Sequence, residues 1–361
     1  MADTTLASVL VAPKQFELRE LDVPSIGSDA GLLQIQACGV CGSDVHGWQR
    51  LAPGARILGH ENVGVVARIG AEASRRWGVT EGDRVALEEY VPCGSCKYCR
   101  TEDFRFCEQT DFSGSGARLW YGSTPLEVWP ALWGGYSQYI YMHPNAVVHR
   151  MPSHVPAAHA AAFLPFSNGV EWAYRYGGVG LGKSIRIQGP GQQGLACVIA
   201  AREAGAACIM VSGLGRDERR LEIARKLGAH VTVDIEADDL VARVRDATGG
   251  DGADVVVNVS GGRGAVAQGI AVAAKRSTVV LAAPGSEEIS VGSVGRRNLA
   301  LKWAHGHSYA SVELAIQMIA SGKYPLDEIS THTFGLSQVD EAIKAVAGEG
   351  APGAIHVSVI P

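Results

Sequence analysis

Cys93-x2-Cys96-x2-Cys99-x7-Cys107 sets four thiols on one short stretch of chain. Four thiolates so spaced can close a tetrahedron around zinc, an ion with no ligand-field preference of its own. Gly94 and Ser95 let the loop fold tightly, and Lys97 puts a positive charge beside an anionic tetrathiolate. An iron–sulfur cluster is the rival, but such runs usually carry a proline after the last cysteine, where this chain has Glu108. A closed four-cysteine site stabilises a loop and does no chemistry.

A second group can do chemistry. Cys41-Gly42-Ser43-Asp44-Val45-His46 and Gly59-His60-Glu61 bring a thiol, two imidazoles and two carboxylates together in sequence. A catalytic zinc needs three protein ligands and an open position. Cys41 and His60 suit as ligands, while the Ser43 hydroxyl and the His46 imidazole can pass a proton to solvent. Each residue alone reads as a buried thiol or a surface histidine. Beside a tetracysteine loop, the joint pattern points to a catalytic centre.

Gly189-Pro190-Gly191-Gln192-Gln193-Gly194 fits G-x-G-x-x-G, a weak pattern in a chain with 45 glycines. Its setting strengthens it, with a strand before and a helix after. Gly189, Gly191 and Gly194 then permit a sharp turn and lay a pyrophosphate on a helix N-terminus. Past the next strand, Val211-Ser212-Gly213-Leu214-Gly215-Arg216-Asp217 completes the candidate cofactor site through Ser212, Gly213 and Arg216. Gly213 stands where an acid usually holds the adenosine ribose. Without that carboxylate a 2′-phosphate meets no repulsion, and Arg216 can pair with it or equally be a solvated residue at a helix start, so NADP is only slightly favoured over NAD.

The elements that position these residues fall into two textures. Residues 1–150 read as short β-branched strands divided by turns such as Glu81-Gly82-Asp83, a barrel-like unit. From about residue 153, strands at 184–189, 208–213, 230–235, 254–261 and 277–285 alternate with helices. That alternation implies a parallel sheet with helical crossovers. Helices over 311–321 and 337–347 and a closing strand over 354–360 follow. The chain has 361 residues with 47% apolar and 19% charged side chains, enough for two cores and against disorder. A net charge of −5 argues against a nucleic-acid binder. The absence of a long apolar run and of a signal-peptide pattern leads to the expectation of a cytoplasmic protein with no membrane partner.

Together these motifs, in this order, resemble the zinc-containing medium-chain dehydrogenase/reductase superfamily of alcohol and polyol dehydrogenases, over nearly the whole chain. The resemblance implies a GroES-like β-barrel catalytic domain, residues 1–163 and 302–361, with a structural zinc lobe at about 93–107. It further implies a Rossmann doubly wound domain over 164–301, and a homo-oligomer, dimer or tetramer. It makes Cys41 and His60 catalytic-zinc ligands, Glu61 the carboxylate that can approach or replace a ligand, and Asp44 an acid near the metal. Ser43 becomes the hydroxyl that meets the substrate oxygen, and His46 the outer end of a proton relay. Cys93, Cys96, Cys99 and Cys107 become the structural zinc site.

One departure stands out. The family's third ligand, a Cys or Glu, aligns with Leu164 in Ala161-Ala162-Phe163-Leu164-Pro165-Phe166-Ser167-Asn168-Gly169-Val170. Leucine cannot bind zinc, and Glu171 lies two helical turns on, ~10 Å away. Three outcomes stay open: zinc on Cys41, His60 and Glu61 with water, a weak exchangeable zinc, or an empty site. The expected function is zinc-dependent, NAD(P)-linked interconversion of an alcohol and a ketone or aldehyde by hydride transfer. The alternative, motivated by Leu164, is a metal-indifferent NAD(P)H reductase of an activated C=C or C=N bond. The aromatic-rich segment 112–141 and Trp48 are candidates to line a substrate pocket, which would favour an apolar or aromatic small molecule. Packing of that segment onto the barrel, or a subunit contact, is the other reading.

Overall fold

The computed structural model of the chain describes residues 4–50, 53–110, 119–283 and 287–361. The chain divides into two compact units, Met1–Leu164 with Ile316–Pro361, and Pro165–Ala315.

The first unit is built on antiparallel strands whose alternating apolar residues fill one core. Gly31–Gly39 and Glu61–Ile69 lie side by side at the centre of a seven-stranded sheet. Arg84–Leu87 and Val148–Arg150 extend it on one side, His356–Val359 and Ser330–Phe334 on the other, and Tyr139–Met142 also pairs with Gly31–Gly39. A three-stranded sheet joins Gln15–Asp22, Thr4–Ala12 and Arg56–Ile57. Val9, Leu32, Leu33, Val66, Val85, Leu87 and Ile140 are buried in the shared core. The central register pairs Gly39 with Glu61 and Cys38 with Asn62, so the chemistry-bearing end of Glu61–Ile69 sits beside the exit of Gly31–Gly39. The helix Gly42–Gln49 follows that exit directly.

The second unit is a parallel six-stranded sheet. Its order is Val231–Asp234, Cys208–Gly213, Ser184–Gln188, Ala253–Asn258, Ala273–Leu281, Ala300–Trp303. The order reverses between Ser184–Gln188 and Ala253–Asn258, where doubly wound sheets open a crevice at the strands' carboxyl ends. Each strand expected here from the β-branched runs is present, as are the helices Gln192–Glu203, Glu218–Leu227, Leu240–Ala247 and Ala265–Val272. The return to the first unit differs from expectation: it falls at Ile316 rather than near residue 302. The reason is that Ala300–Trp303 bonds in parallel to Ala273–Leu281 and serves as the sheet's edge strand. Among the described residues, no helix is long and apolar enough to cross a membrane.

Candidate active site and metal positions

Gly39 makes the site possible. A side chain there would place its Cβ 1.9 Å from Glu61 Oε2. With only hydrogen at that position, the Glu61 carboxylate turns into the interior, where the residue is 0% exposed and neither oxygen has a hydrogen bond. His356 Nε2 stands 3.6 Å from Oε2, an ion-pair distance too long for a hydrogen bond. Two residues before Glu61, Gly59 takes φ +88 and lets the chain turn His60 toward the helix Gly42–Gln49. A Cβ on Gly59 would meet the Tyr136 ring at 2.6 Å.

Asp44 is the hub that orients these parts. Its carboxylate accepts from the Cys41 backbone N–H at 2.9 Å, from the Gly59 N–H at 3.2 Å and from the Tyr136 hydroxyl at 3.1 Å. It faces His60 Nδ1 at 3.5 Å. Burial drives the Asp44 carboxyl upward, but the His60 charge and these hydrogen bonds outweigh it and hold it below the usual carboxylate range. The reciprocal holds for His60: burial favours the neutral ring, yet Asp44, Cys41 and Glu89 raise its pKa well above the ordinary value. With Asp44 fixing the Nδ1 side, Nε2 faces Ser43 Oγ at 3.3 Å and Glu89 Oε2 at 3.7 Å. A carboxylate on the far nitrogen of a metal-binding histidine sets its tautomer and raises its basicity.

The ligand atoms of Cys41, His60 and Glu61 lie within 4.8 Å of one another. A thiol, an imidazole and a buried carboxylate without a hydrogen bond are donors that zinc accepts, and three donors leave a position open. The residues present therefore fit the ion without a ligand at Leu164, which is buried. Glu171 is spoken for: its Oε2 accepts from Ser308 Oγ at 2.7 Å and Ser311 Oγ at 2.6 Å. Ser43 and His46 lie on the helix at i and i+3, neighbouring positions of one face, and His46 is exposed.

The four-cysteine loop closes as its spacing suggests. All four sulfurs lie within 4.8 Å of one another, with Cys96 and Cys99 at 3.5 Å and Cys93 and Cys99 at 3.9 Å. Tetrahedral Zn–S bonds of about 2.3 Å put sulfurs about 3.8 Å apart. Burial works against the Cys93 thiolate, but hydrogen bonds from Ser95 and the Cys96 N–H bring its pKa down to about 6. Cys99 moves the other way, raised by burial and by its sulfur neighbours. A dication at the centre would hold all four ionised.

In the second unit, Gly189 adopts φ +99, and a Cβ on Gly194 would lie 1.9 Å from the Gly189 carbonyl oxygen. Gly191 caps the helix Gln192–Glu203, and a Cβ there would meet nothing within 4 Å. Two glycines shape the turn and the third faces open space, an arrangement that fits a pyrophosphate against free helical N–H groups. Ser212 departs from expectation. Its hydroxyl is buried and accepts from Arg186 Nη2 at 2.9 Å, and its carbonyl accepts from the Gly189 N–H at 2.9 Å. Arg216 is exposed, in a turn where Asp217 accepts from the Leu214 N–H and Glu236 from the Gly215 N–H.

Other expectations are corrected by packing. Trp48 lies in the barrel core and donates to Asp340 Oδ1 at 2.8 Å. Tyr121, Trp133, Tyr136 and Tyr141 pack into the same core, while Trp129 is 68% exposed; Phe112 lies outside the described residues. His307 is buried against Asn168. Sequence reasoning missed Gly39, Tyr136 and Glu89, whose roles arise from contacts between segments far apart in the chain.

The fold and these two places where donors converge define a dinucleotide-linked oxidoreductase of the metal-bearing kind. Residues 27–153 match the family described as alcohol dehydrogenase GroES-like domain, and residues 194–321 match zinc-binding dehydrogenase. A probable alcohol dehydrogenase of Mycobacterium tuberculosis is 37% identical over 354 residues, covering 95% of this chain and 94% of the relative. The erythritol/L-threitol dehydrogenase of Mycolicibacterium smegmatis is 30% identical, covering 98% and 97%. A solved alcohol dehydrogenase from Thermotoga maritima superposes with a TM-score of 0.85 at 23% identity, covering 99% of each chain. The chain belongs to the zinc-containing medium-chain dehydrogenase/reductase superfamily. It is an NAD(P)-dependent enzyme of the alcohol and polyol dehydrogenase kind, and the metal-indifferent C=C or C=N reductase is not favoured.

Because the four-cysteine site is closed, Cys96→Ser is expected to release its zinc and lower the melting temperature by about 5 °C or more. Metal analysis and a thermal melt check this; unchanged zinc content and melting would reject the site.

Proposed function

We propose that the chain oxidises a small secondary alcohol or polyol to a ketone, or runs the reverse reaction, with zinc at Cys41, His60 and Glu61. The observation that carries this is the Glu61 carboxylate, wholly buried, without a hydrogen bond, and converging with the Cys41 thiol and the His60 ring. Zinc bound there supplies a Lewis acid for the substrate oxygen, and the nicotinamide cofactor carries the hydride. The chain's own residues do the rest. Asp44 holds His60 in register, and Ser43 Oγ is placed to take the hydroxyl proton. His46, exposed on the same helical face, hands that proton to water. The tetracysteine zinc is structural. Relatives named for erythritol, threitol and xylulose support a polyol as readily as a simple alcohol. NADP is the preferred cofactor, because Gly213 offers no carboxylate and Arg216 is exposed beside it.

Three measurements test these roles. Glu61→Gln is expected to leave one tightly held zinc per chain instead of the two for which donors converge, and to cut alcohol oxidation by about a hundredfold or more. Full oxidation of an alcohol and polyol panel with only the tetracysteine zinc present would defeat the mechanism. His46→Gln should slow turnover roughly tenfold below neutral pH, with partial rescue by small buffer bases. An unaltered pH profile would remove His46 from the proton path. Arg216→Ala should raise KM for NADP about tenfold more than KM for NAD, the worth of a charge-assisted phosphate pair. Equal effects on both cofactors would reject the NADP assignment.

A further inference from the structure

The stretch Val170–Tyr176 in the second unit is π-helical, with the Gly177 N–H reaching back to the Trp172 carbonyl at 3.0 Å. Such wide turns are rare and gather at functional sites. Two successive side chains of this stretch fasten one loop, residues 304–308, which follows the edge strand Ala300–Trp303. Glu171 is buried, and its Oε2 accepts from the Ser308 N–H at 3.2 Å as well as from the Ser308 and Ser311 hydroxyls. Arg175 Nε stands 3.5 Å from the same oxygen. The Trp172 indole N–H donates to the Gly306 carbonyl at 3.0 Å, and Gly306 takes φ +53. A further tie comes from one turn earlier, where Asn168 Oδ1 meets His307 Nδ1 at 3.1 Å. Burying a carboxylate is costly, and several donors converging on it are what makes it tolerable. Here that arrangement serves a short loop rather than a strand of the core.

The loop's place in the sheet gives it a task. The Ala304 N–H donates to the Leu281 carbonyl, so the loop leaves the parallel sheet at the carboxyl ends of its strands, the end at which the glycine turn follows Ser184–Gln188. A doubly wound sheet binds a dinucleotide across that end, one mononucleotide over each half, at the point where the strand order reverses. On the cofactor placement proposed above, Gly213 and Arg216 receive the adenosine, over the half made of Cys208–Gly213 and Val231–Asp234. The nicotinamide half then falls over Ala253–Asn258, Ala273–Leu281 and Ala300–Trp303, whose exits include the loop. We propose that Glu171 and Trp172 are positioning residues for the nicotinamide: from adjacent places on one π-helical turn they hold the loop 304–308 in the form that the reactive end of the cofactor meets. A loop fixed beforehand leaves less ordering to be done on binding, so its effect falls on the affinity for that end of the cofactor.

This inference rests on that placement of the cofactor, and the experiment separates the two. In the full chain, the dissociation constants of NADH and of ADP-ribose, which lacks only the nicotinamide, are measured side by side by calorimetry. NADPH and 2′-phospho-ADP-ribose form a second pair. The ratio within each pair reads the nicotinamide alone, whichever cofactor is preferred. Wild type should bind the nicotinamide-bearing member at least about threefold more tightly than its partner. Glu171→Gln and Trp172→Phe should each weaken that member by about fivefold or more, while the ADP-ribose compounds stay within about twofold of wild type. Trp172→Phe keeps an aromatic ring and removes only the indole N–H, and a melting temperature near that of wild type establishes that it folds. Parallel losses for both members of a pair overturn the inference, since the two residues would then support the whole unit. Unchanged affinity for every probe also overturns it, as does a wild-type ratio of one. Arg216→Ala, on the adenosine side, should leave the ratio within each pair unchanged. A changed ratio there means that the cofactor lies the other way round, and the placement then fails together with the inference.

Discussion

A buried carboxylate with no hydrogen bond is the constraint on which the first unit depends. Leaving a charged group unsatisfied in a protein interior costs several kcal/mol, and such groups persist when a cation or an ordered donor set neutralises them. The Glu61 carboxylate is in this position, and the chain accommodates it by a glycine directly across the sheet. Any side chain at Gly39 would evict it. The central pairing of the barrel is therefore as much a specification for the proposed metal site as for the core.

Around that point the chain arranges charge in a definite sequence. Asp44 ties together the start of the helix Gly42–Gln49, the turn at Gly59 and the ring of His60, and Tyr136 braces it from the loop that packs across the barrel. Two carboxylates, Asp44 and Glu89, and the Cys41 side chain then surround one imidazole and raise its pKa well above the ordinary value despite its burial. The same field favours a divalent cation over a proton. Structure and chemistry share one cause here: the hydrogen bonds that close the helix start also aim the ligand.

The cysteine lobe and the glycine turn solve simpler problems, and each is nearly complete in itself. The lobe brings its own small core of Tyr90, Phe104 and Trp120, and its four sulfurs need one ion between them. The turn needs two glycines for its geometry and a third to leave space. Cofactor contacts past the turn are less self-contained. Ser212 looks available in the sequence, yet the buried guanidinium of Arg186 on the adjacent strand claims its hydroxyl.

What the sequence determined by itself is whatever is written in short, contiguous stretches. Chelating cysteines, a glycine turn between strand and helix, and alternating β-branched runs all act over a few residues. Their spacing therefore carries the two-unit architecture, the four-cysteine loop and the glycine turn. Tertiary structure alone decided the rest. That Glu61 turns inward without a hydrogen bond depends on its register with Gly39, that Trp48 is core depends on Asp340, and that Glu89 reaches His60 depends on strands that meet only in the barrel. The strand Ala300–Trp303 likewise joined the second unit through bonds to a strand whose edge the sequence does not display. The physical reason is common to all four. Side-chain partners across a sheet are chosen by register, and register is settled by the packing of the whole core rather than by any local pattern.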